Sequence, residues 1–465
     1  MSRQFTTRAQ VSGYRFGVAR AEHALVRRDA RMLDDPLRAH WRALFAGLVI
    51  AILIVAGAGL YGLIRPKPAV GDARLVADRS GALFVLVDDV MHPVSDLASA
   101  RLILGEPVEV KTVSTEALAA FPRGPSLGIP GAPASLPVPG ERAASSWTVC
   151  DDPAAGTAVL AEPPTVRPAP VEAAALVRAG DDDWLVYQRR RDGSPEPVRA
   201  RVDLGDAAVR RVFGLDDAVP RPVSEALLNT FPPLDDLAVP DIDGRGGSGP
   251  GPLAGVSVGT VVRSVGVDGG ASYAMVLADG IQPVGEGTAE LLRAADPAAP
   301  ARVPEVTPAD LASVPVRRTL PVTGFPERPV TLIGERAVLC GRWSQASGER
   351  ARRSLLATGH LPLPAGARVV TLTAADGDGP GLDGVYLTPG TAAYVALSGA
   401  GSDGRGARYL VTDAGVAYPV PDGPTAAILG LGETPAPAPA EVIGLLPPGP
   451  ALTRESALTA RDVPR

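Results

Sequence analysis

Catalysis needs convergent acids, bases or nucleophiles, and this chain supplies few. Only four histidines occur in 465 residues. His23 and His40 lie among N-terminal arginines and read as interfacial polar residues. His92 and His360 stand alone, with no CxxC or second histidine at ligand spacing. His92 precedes a proline where similar stretches carry Gln282, Glu196 and Tyr418, so it reads as a surface position. The nearest approach to a phosphate loop is 105–112 (GEPVEVKT). Gly105 and Lys111-Thr112 have Walker A spacing, but Val110 replaces the second glycine. Pro107 also removes an N–H from the loop that would cradle phosphate. Asp181, Asp182 and Asp183 form a solvated acidic run before they form a cation site. Asp88 and Asp89 read as turn residues. No catalytic group, cofactor or metal is expected.

Two cysteines remain, Cys150 and Cys340. In an oxidising compartment they favour a disulfide, worth roughly 4–5 kcal/mol in the chain-entropy model for so long a loop. Two buried free thiols are the alternative. Trp147 and Trp343 are expected to pack beside such a bridge.

The compartment follows from the elements around these residues. Residues 43–64 (ALFAGLVIAILIVAGAGLYGLI) carry no charge and no proline over 22 positions. A helix of that length crosses a hydrocarbon core of about 30 Å. Trp41 and Tyr61 sit near its ends, where amphipathic rings favour the interface. Nine arginines precede it, while only Arg65 and Lys67 follow closely. The positive-inside rule therefore places the N-terminus in the cytoplasm and the rest outside. The run is too long and starts too late for a cleaved signal peptide. Residues 1–42 carry a net +5, which leaves −11 for the rest of a chain of net −6. An acidic body argues against nucleic acid, and the basic end suits a lipid surface.

Before the span, 12–34 read as a helix that Ser12 caps and Asp34-Asp35-Pro36 breaks. Phe16, Leu25 and the alanines offer an apolar side; Arg20, Arg27, Arg28 and Arg31 offer a basic one. The segment is either a basic flank on anionic lipid or a docking helix for a partner. A second helix from Pro36 is expected to run into the membrane.

Beyond the span, Gly and Pro abound between short runs of Val, Leu, Tyr and Thr, which favours strands and turns. One pattern, strand–turn–Pro-Val, recurs at 83–94 (LFVLVDDVMHPV), 273–284 (YAMVLADGIQPV) and 409–420 (YLVTDAGVAYPV). A degenerate copy occupies 184–198 (WLVYQRRRDGSPEPV). Each is followed by a short helical pattern closing on proline: EALAAFP, EALLNTFP, ADLASVP and AEVIGLLP. The steps from hairpin proline to closing proline are 29, 35, 32 and 28 residues. The reading is four small repeats that must pack on neighbours. Stretches with one cysteine each lie between repeats one and two and between three and four. A Gly/Pro-rich joint at 244–252 divides the halves.

The expected architecture is a single transmembrane helix plus an α+β extracytoplasmic region. Four β-rich repeats surround a central disulfide-linked β domain in an elongated, quasi-two-fold arrangement. The expected boundaries are a stub at 1–42, the span at 43–64, repeat one at 72–130 and the first segment of the central domain at 131–175. Repeat two follows at 176–237, a linker at 238–254 and repeat three at 255–323. The second segment of the central domain takes 324–390, repeat four 391–450 and a tail 451–465.

The stretches TTRAQVSGYRF (6–16), EHALVRRDARMLDDPL (22–37), HPVSDLASARLILG (92–105), LGIPGAP (127–133), SSWTVCD (145–151) and TGHLPLP (358–364) resemble the EccB family. EccB is the membrane component of the type VII (ESX) secretion system of actinobacteria. The resemblance covers nearly the whole chain. It implies a structural subunit that assembles with an EccC-type ATPase, EccD and EccE, and with further copies of itself. That complex exports WXG100 and PE/PPE-like substrates across the inner membrane. It also implies that Cys150 and Cys340 pair, and that 6–40, including Arg15, Phe16, Arg20, Arg27, Arg28 and Arg31, carries partner and membrane contacts. Members of the family sometimes bear an ATPase label, which these residues do not support. The rival readings are an anchored cell-wall-binding module and an anchored ATPase or hydrolase.

Overall fold

The computed structural model describes residues 6–28, 30–31, 36–64, 70–134, 136, 144–161, 166–191, 193–266, 269–334, 337–346, 349–377, 379–398 and 406–461. They divide into a helical N-terminal unit and a β-rich unit that begins at residue 72.

The N-terminal unit holds α1 (Arg8–Arg27) and α2 (Pro36–Ile64). Thr7, not Ser12, caps α1. Gln10 N–H donates to Thr7 Oγ1 at 3.4 Å, and Thr7 N–H donates to Gln10 Oε1 at 2.9 Å. This reciprocal box satisfies two orphan N–H groups at once, which a lone Ser12 inside the helix does not. α1 also stops earlier than expected, at Arg28 in the left-handed region (φ 56°). The expected break at Asp34-Asp35 lies outside the described residues. Proline at the first position of α2 costs no hydrogen bond, because that N–H has no helical acceptor.

In the β-rich unit, hairpins form where the strand–turn pattern stands. Leu83–Val87 pairs with Val90–Val94 through Asp88 and Asp89, both at positive φ (50° and 59°). Positive φ at both turn residues matches the twist of the flanking strands. Ala271–Leu277 pairs with Gly280–Val284, Arg408–Thr412 with Ala417–Val420, and Asp182–Arg191 with Ser194–Arg201. After each, the chain returns to the second strand with the same hydrogen-bond pair. Met91 N–H donates to Pro122 O (2.8 Å) and Met91 O accepts from Gly124 N–H (3.1 Å). Ile281 does the same with Pro315 and Arg317, Ala417 with Pro447 and Gly449, and Arg199 with Pro232 and Leu234.

That shared contact corrects two expectations. Ala200, not Glu196, stands where His92, Gln282 and Tyr418 stand, because the 182–201 hairpin is longer than the others. Glu196 instead accepts from Arg189 across the hairpin (3.1 Å). Nor is the position a surface one in every copy, although His92 itself stays partly exposed. Gln282 is buried; its Oε1 accepts from Thr319 N–H and Leu320 N–H at 2.9 Å, and its Nε2 donates to Leu320 O at 3.0 Å. The Tyr418 ring is buried against Gly449, and the His92 ring lies against Gly124; a β-carbon at either glycine would overlap the ring.

A longer helix packs beside each hairpin: Leu97–Leu104, Ala207–Phe213, Glu286–Ala294 and Gly423–Leu429. Three start on an aspartate cap (Asp96, Asp206, Asp422) and end on a left-handed glycine (Gly105, Gly214, Gly430). These helices join the sheets in pairs. Val85 and Ile103 share a core with Tyr394 and Leu429, while Leu185 and Phe213 share one with Met275 and Leu291.

Between the pairs lies a six-stranded sheet made from both cysteine-bearing stretches. Ala144–Asp152 and Val338–Ala346 run antiparallel side by side within it, with Cys150 opposite Cys340 and Trp147 opposite Trp343. The two sulfurs are bonded at 2.06 Å. The tryptophans do not pack beside the bridge. They stand three residues from the cysteines, so strand alternation sends them to the other face. There they join Val149, Val159 and Phe231, while the cysteines lie with Leu160, Leu356 and Tyr386.

Asp151 links this sheet to the Glu225–Leu228 helix. Its carboxylate accepts from Ser224 N–H (2.6 Å), Ser224 Oγ–H (2.8 Å) and Thr157 Oγ1–H (3.0 Å). Burial pushes its pKa above the ordinary 3.8, against those hydrogen bonds and the nearby Arg221. The folded chain therefore keeps a proton that the unfolded chain releases, and stability should fall as pH rises from 3.8 through the raised value. Asp151→Asn should flatten that slope. Urea midpoints between about pH 4 and pH 7 measure it; parallel profiles for the two proteins would refute the assignment.

Candidate partner-docking and membrane segments

α1 buries none of its residues, and a helix draws most of its stability from packing, so what its faces offer matters. Val11, Tyr14, Val18, Ala21 and Leu25 fall at spacings of 3, 4, 3 and 4 and line one side. Tyr14 and Leu25 are 76% and 82% exposed. Phe16 does not join them. It stands nine residues from Leu25, two and a half turns, and so lies on the opposite side. Its neighbours there are Arg20, His23 and Arg27. Arg15 flanks the apolar stripe, Arg28 follows the last turn, and Arg31 lies beyond the helix. Of the six residues expected to dock, Phe16, Arg20 and Arg27 therefore share a face and the others do not.

α2 is the one helix among the described residues long and apolar enough to cross a membrane, over His40–Tyr61. Leu44, Leu48, Ile52 and Val55 are all exposed along it. The Trp41 and Phe45 rings meet one turn apart, tilted by 32° with centroids at 5.8 Å.

The phosphate-loop likeness does not survive in three dimensions. A phosphate loop joins a strand to the N-terminus of a helix, whose N–H groups face the anion. Gly105 instead closes the C-terminus of a helix, and Lys111-Thr112 form an edge strand parallel to Leu75–Ala77. The order is helix–loop–strand, and the helix end near Gly105 presents carbonyl groups. Two Gly-x-Ser-x-Gly stretches, 124–128 and 255–259, also lack the strand–serine–helix elbow of hydrolases. Ser126 lies in a two-residue strand and donates to Pro93 O (3.3 Å), and Ser257 bridges to Ser248. Among the described residues no group of three His, Cys, Asp or Glu is placed to hold a metal.

The family model for the type VII secretion system ESX-1 transport TM domain B matches residues 3–464. The chain belongs to the EccB family. It is 37% identical over 484 residues to the ESX-3 secretion system ATPase EccB3 of Mycolicibacterium smegmatis, covering 99% of this chain and 92% of that one. It is 34% identical to the ESX-1 secretion system ATPase EccB1 of Mycobacterium tuberculosis, covering 99% and 96%. Among solved structures, a chain of an intact ESX-5 inner membrane complex superposes with a TM-score of 0.74 at 34% identity, covering 100% and 97%. A chain of the EccB3 dimer from the ESX-3 core complex gives 0.71 at 34%, covering 83% and 100%. The EccB3 and EccB1 matches, each over 99% of this chain, take in the helical unit and the β-rich unit together.

Proposed function

We propose that this EccB chain is a structural subunit of a type VII secretion complex in the inner membrane. α2 spans the bilayer once, with the arginine-rich end in the cytoplasm and the disulfide-bonded region outside. The observation that carries the reading is the full-length likeness to a chain of an intact ESX-5 inner membrane complex. In this reading α1 meets EccC- and EccD-like subunits through its apolar stripe and anionic lipid through its arginines. A second copy of the chain and an EccE-like subunit complete the neighbours, and WXG100 and PE/PPE-like proteins are the cargo. The outer region is four copies of one hairpin–helix unit, at the boundaries given above. They are related in pairs by a two-fold axis through the Cys150–Cys340 strand pair; the four-fold recurrence of the Met91-type contact and the paired cores support this.

Tagged protein purified from membranes in mild detergent should bring down an EccC-like ATPase. A clean monomer would sink the proposal. The relatives' ATPase names give a second reading, and it has its own test. ATP hydrolysis by the purified chain that Lys111→Ala abolishes would favour an enzyme; we expect no hydrolysis above background in either protein.

A further inference from the structure

One row of side chains in the central sheet is left without the partner its chemistry calls for. Arg342 stands directly opposite Thr148 on one neighbouring strand and opposite Ser354 on the other. The next row holds Ser146, Ser344 and Arg352. Residues two apart on a strand share a face, so both rows lie on the face that carries the disulfide. Opposed side chains in adjacent strands stand about 5 Å apart at Cβ, within reach of one small ligand.

Thr148 is fully buried and Ser146 is 8% exposed, yet neither hydroxyl has a hydrogen-bond partner. Arg342 Nε is likewise shielded and unpartnered. The only hydrogen bond of the Arg342 guanidinium among the described residues is a long one, from Nη2 to Ser354 Oγ at 3.4 Å. No carboxylate among the described residues pairs with it. Three other arginines of these sheets do find an acid: Arg178 pairs with Asp183, Arg189 with Glu196, and Arg353 with Glu441. Burial alone pushes the Arg342 pKa down, with no acid opposing it.

Buried donors without acceptors are costly, and folded chains rarely keep several together. A guanidinium fork flanked by hydroxyls is the donor set that binds carboxylates and phosphates. We propose that the Thr148–Arg342–Ser354 row, with Ser146 beside it, is a binding subsite for an oxyanion. The anion accepts from Arg342 Nε–H and from the hydroxyls of Thr148 and Ser146. The disulfide next to the row fixes the spacing of the two strands that carry Thr148 and Arg342.

The test is thermal unfolding of the full chain in detergent with inorganic phosphate, sodium chloride holding the ionic strength constant. Phosphate at saturation should raise the melting temperature by about 2 °C. Arg342→Gln should abolish the increment. Thr148→Val should raise the melting temperature without phosphate, by removing an unpartnered hydroxyl, and shrink the phosphate increment. A second arm with acetate separates the sources: a larger increment with acetate assigns a carboxylate, a larger one with phosphate assigns a phosphate group. Equal increments in wild type and Arg342→Gln, or no increment with either anion, would overturn the proposal. If Arg342→Gln does not fold, Thr148→Val decides alone, because an increment it leaves unchanged removes Thr148 from the site.

Discussion

Replacing Cys150 and Cys340 together by alanine should cost about 4–5 kcal/mol of unfolding free energy. The bond joins residues 190 apart, so its loss frees a long loop in the unfolded chain. Both cysteines are fully buried and directly opposed, so the alanine pair leaves the strand pairing in place. Urea titrations of the wild type and the double variant give the difference. A loss below about 1 kcal/mol would mean that the bond does not restrict the unfolded ensemble. Mild reductant should not reproduce the effect on the folded protein, since neither sulfur reaches solvent.

Trp147→Ala should be nearly as damaging, at about 3–5 kcal/mol. Trp147 is 1% exposed and faces Trp343 across the Cys150–Cys340 strand pair. Its core also takes in Leu227 from the Glu225–Leu228 helix, Phe231 just after it, and Val395 and Val411 from the sheet that holds the 408–420 hairpin. The side chain thus fills a space that three sheets line. Such a space cannot collapse around alanine without moving all three. Gly341, on the same face, shows how tight the approach is, for a β-carbon there would overlap Thr230 Oγ1. Urea midpoints again measure the loss, and the indole Nε1–H, which donates to Ser145 Oγ (2.9 Å), makes Trp147→Phe a milder control. If Trp147→Ala costs less than about 1 kcal/mol, the three sheets are not held through this core.

The sequence announced some of this plainly. Hairpins were legible because turn chemistry is local: Asp88-Asp89 tolerates the left-handed region, and alternating Val and Leu supply the strands. The span was legible because 22 uncharged residues have few other fates. The helices beside the hairpins carried a local signal too, an aspartate cap and a terminal glycine eight or nine residues apart, but their apolar stretches pass for buried strands. Strand partnership was not legible. Nothing local says that Ala144–Asp152 pairs with Val338–Ala346, and only that register decides which face Trp147 takes. The same holds for Asp151, Thr148 and Arg342. Each is an ordinary residue in a strand until a neighbour from 70 to 200 positions away arrives beside it.

The Cys150–Cys340 bond also changes what a broken backbone would mean. The covalent ring it closes contains the sheets built on the 182–201 and 271–284 hairpins, together with the Gly/Pro-rich stretch at 244–252. A protease that cut once anywhere in that ring would yield two polypeptides but one molecule. The piece bearing α2 would still hold, through sulfur, the piece bearing the 408–420 hairpin and the Ala460–Arg461 strand, which pairs with Ser126–Leu127. Such a chain stays one molecule, with its first and last strands still tied, after its backbone is no longer continuous.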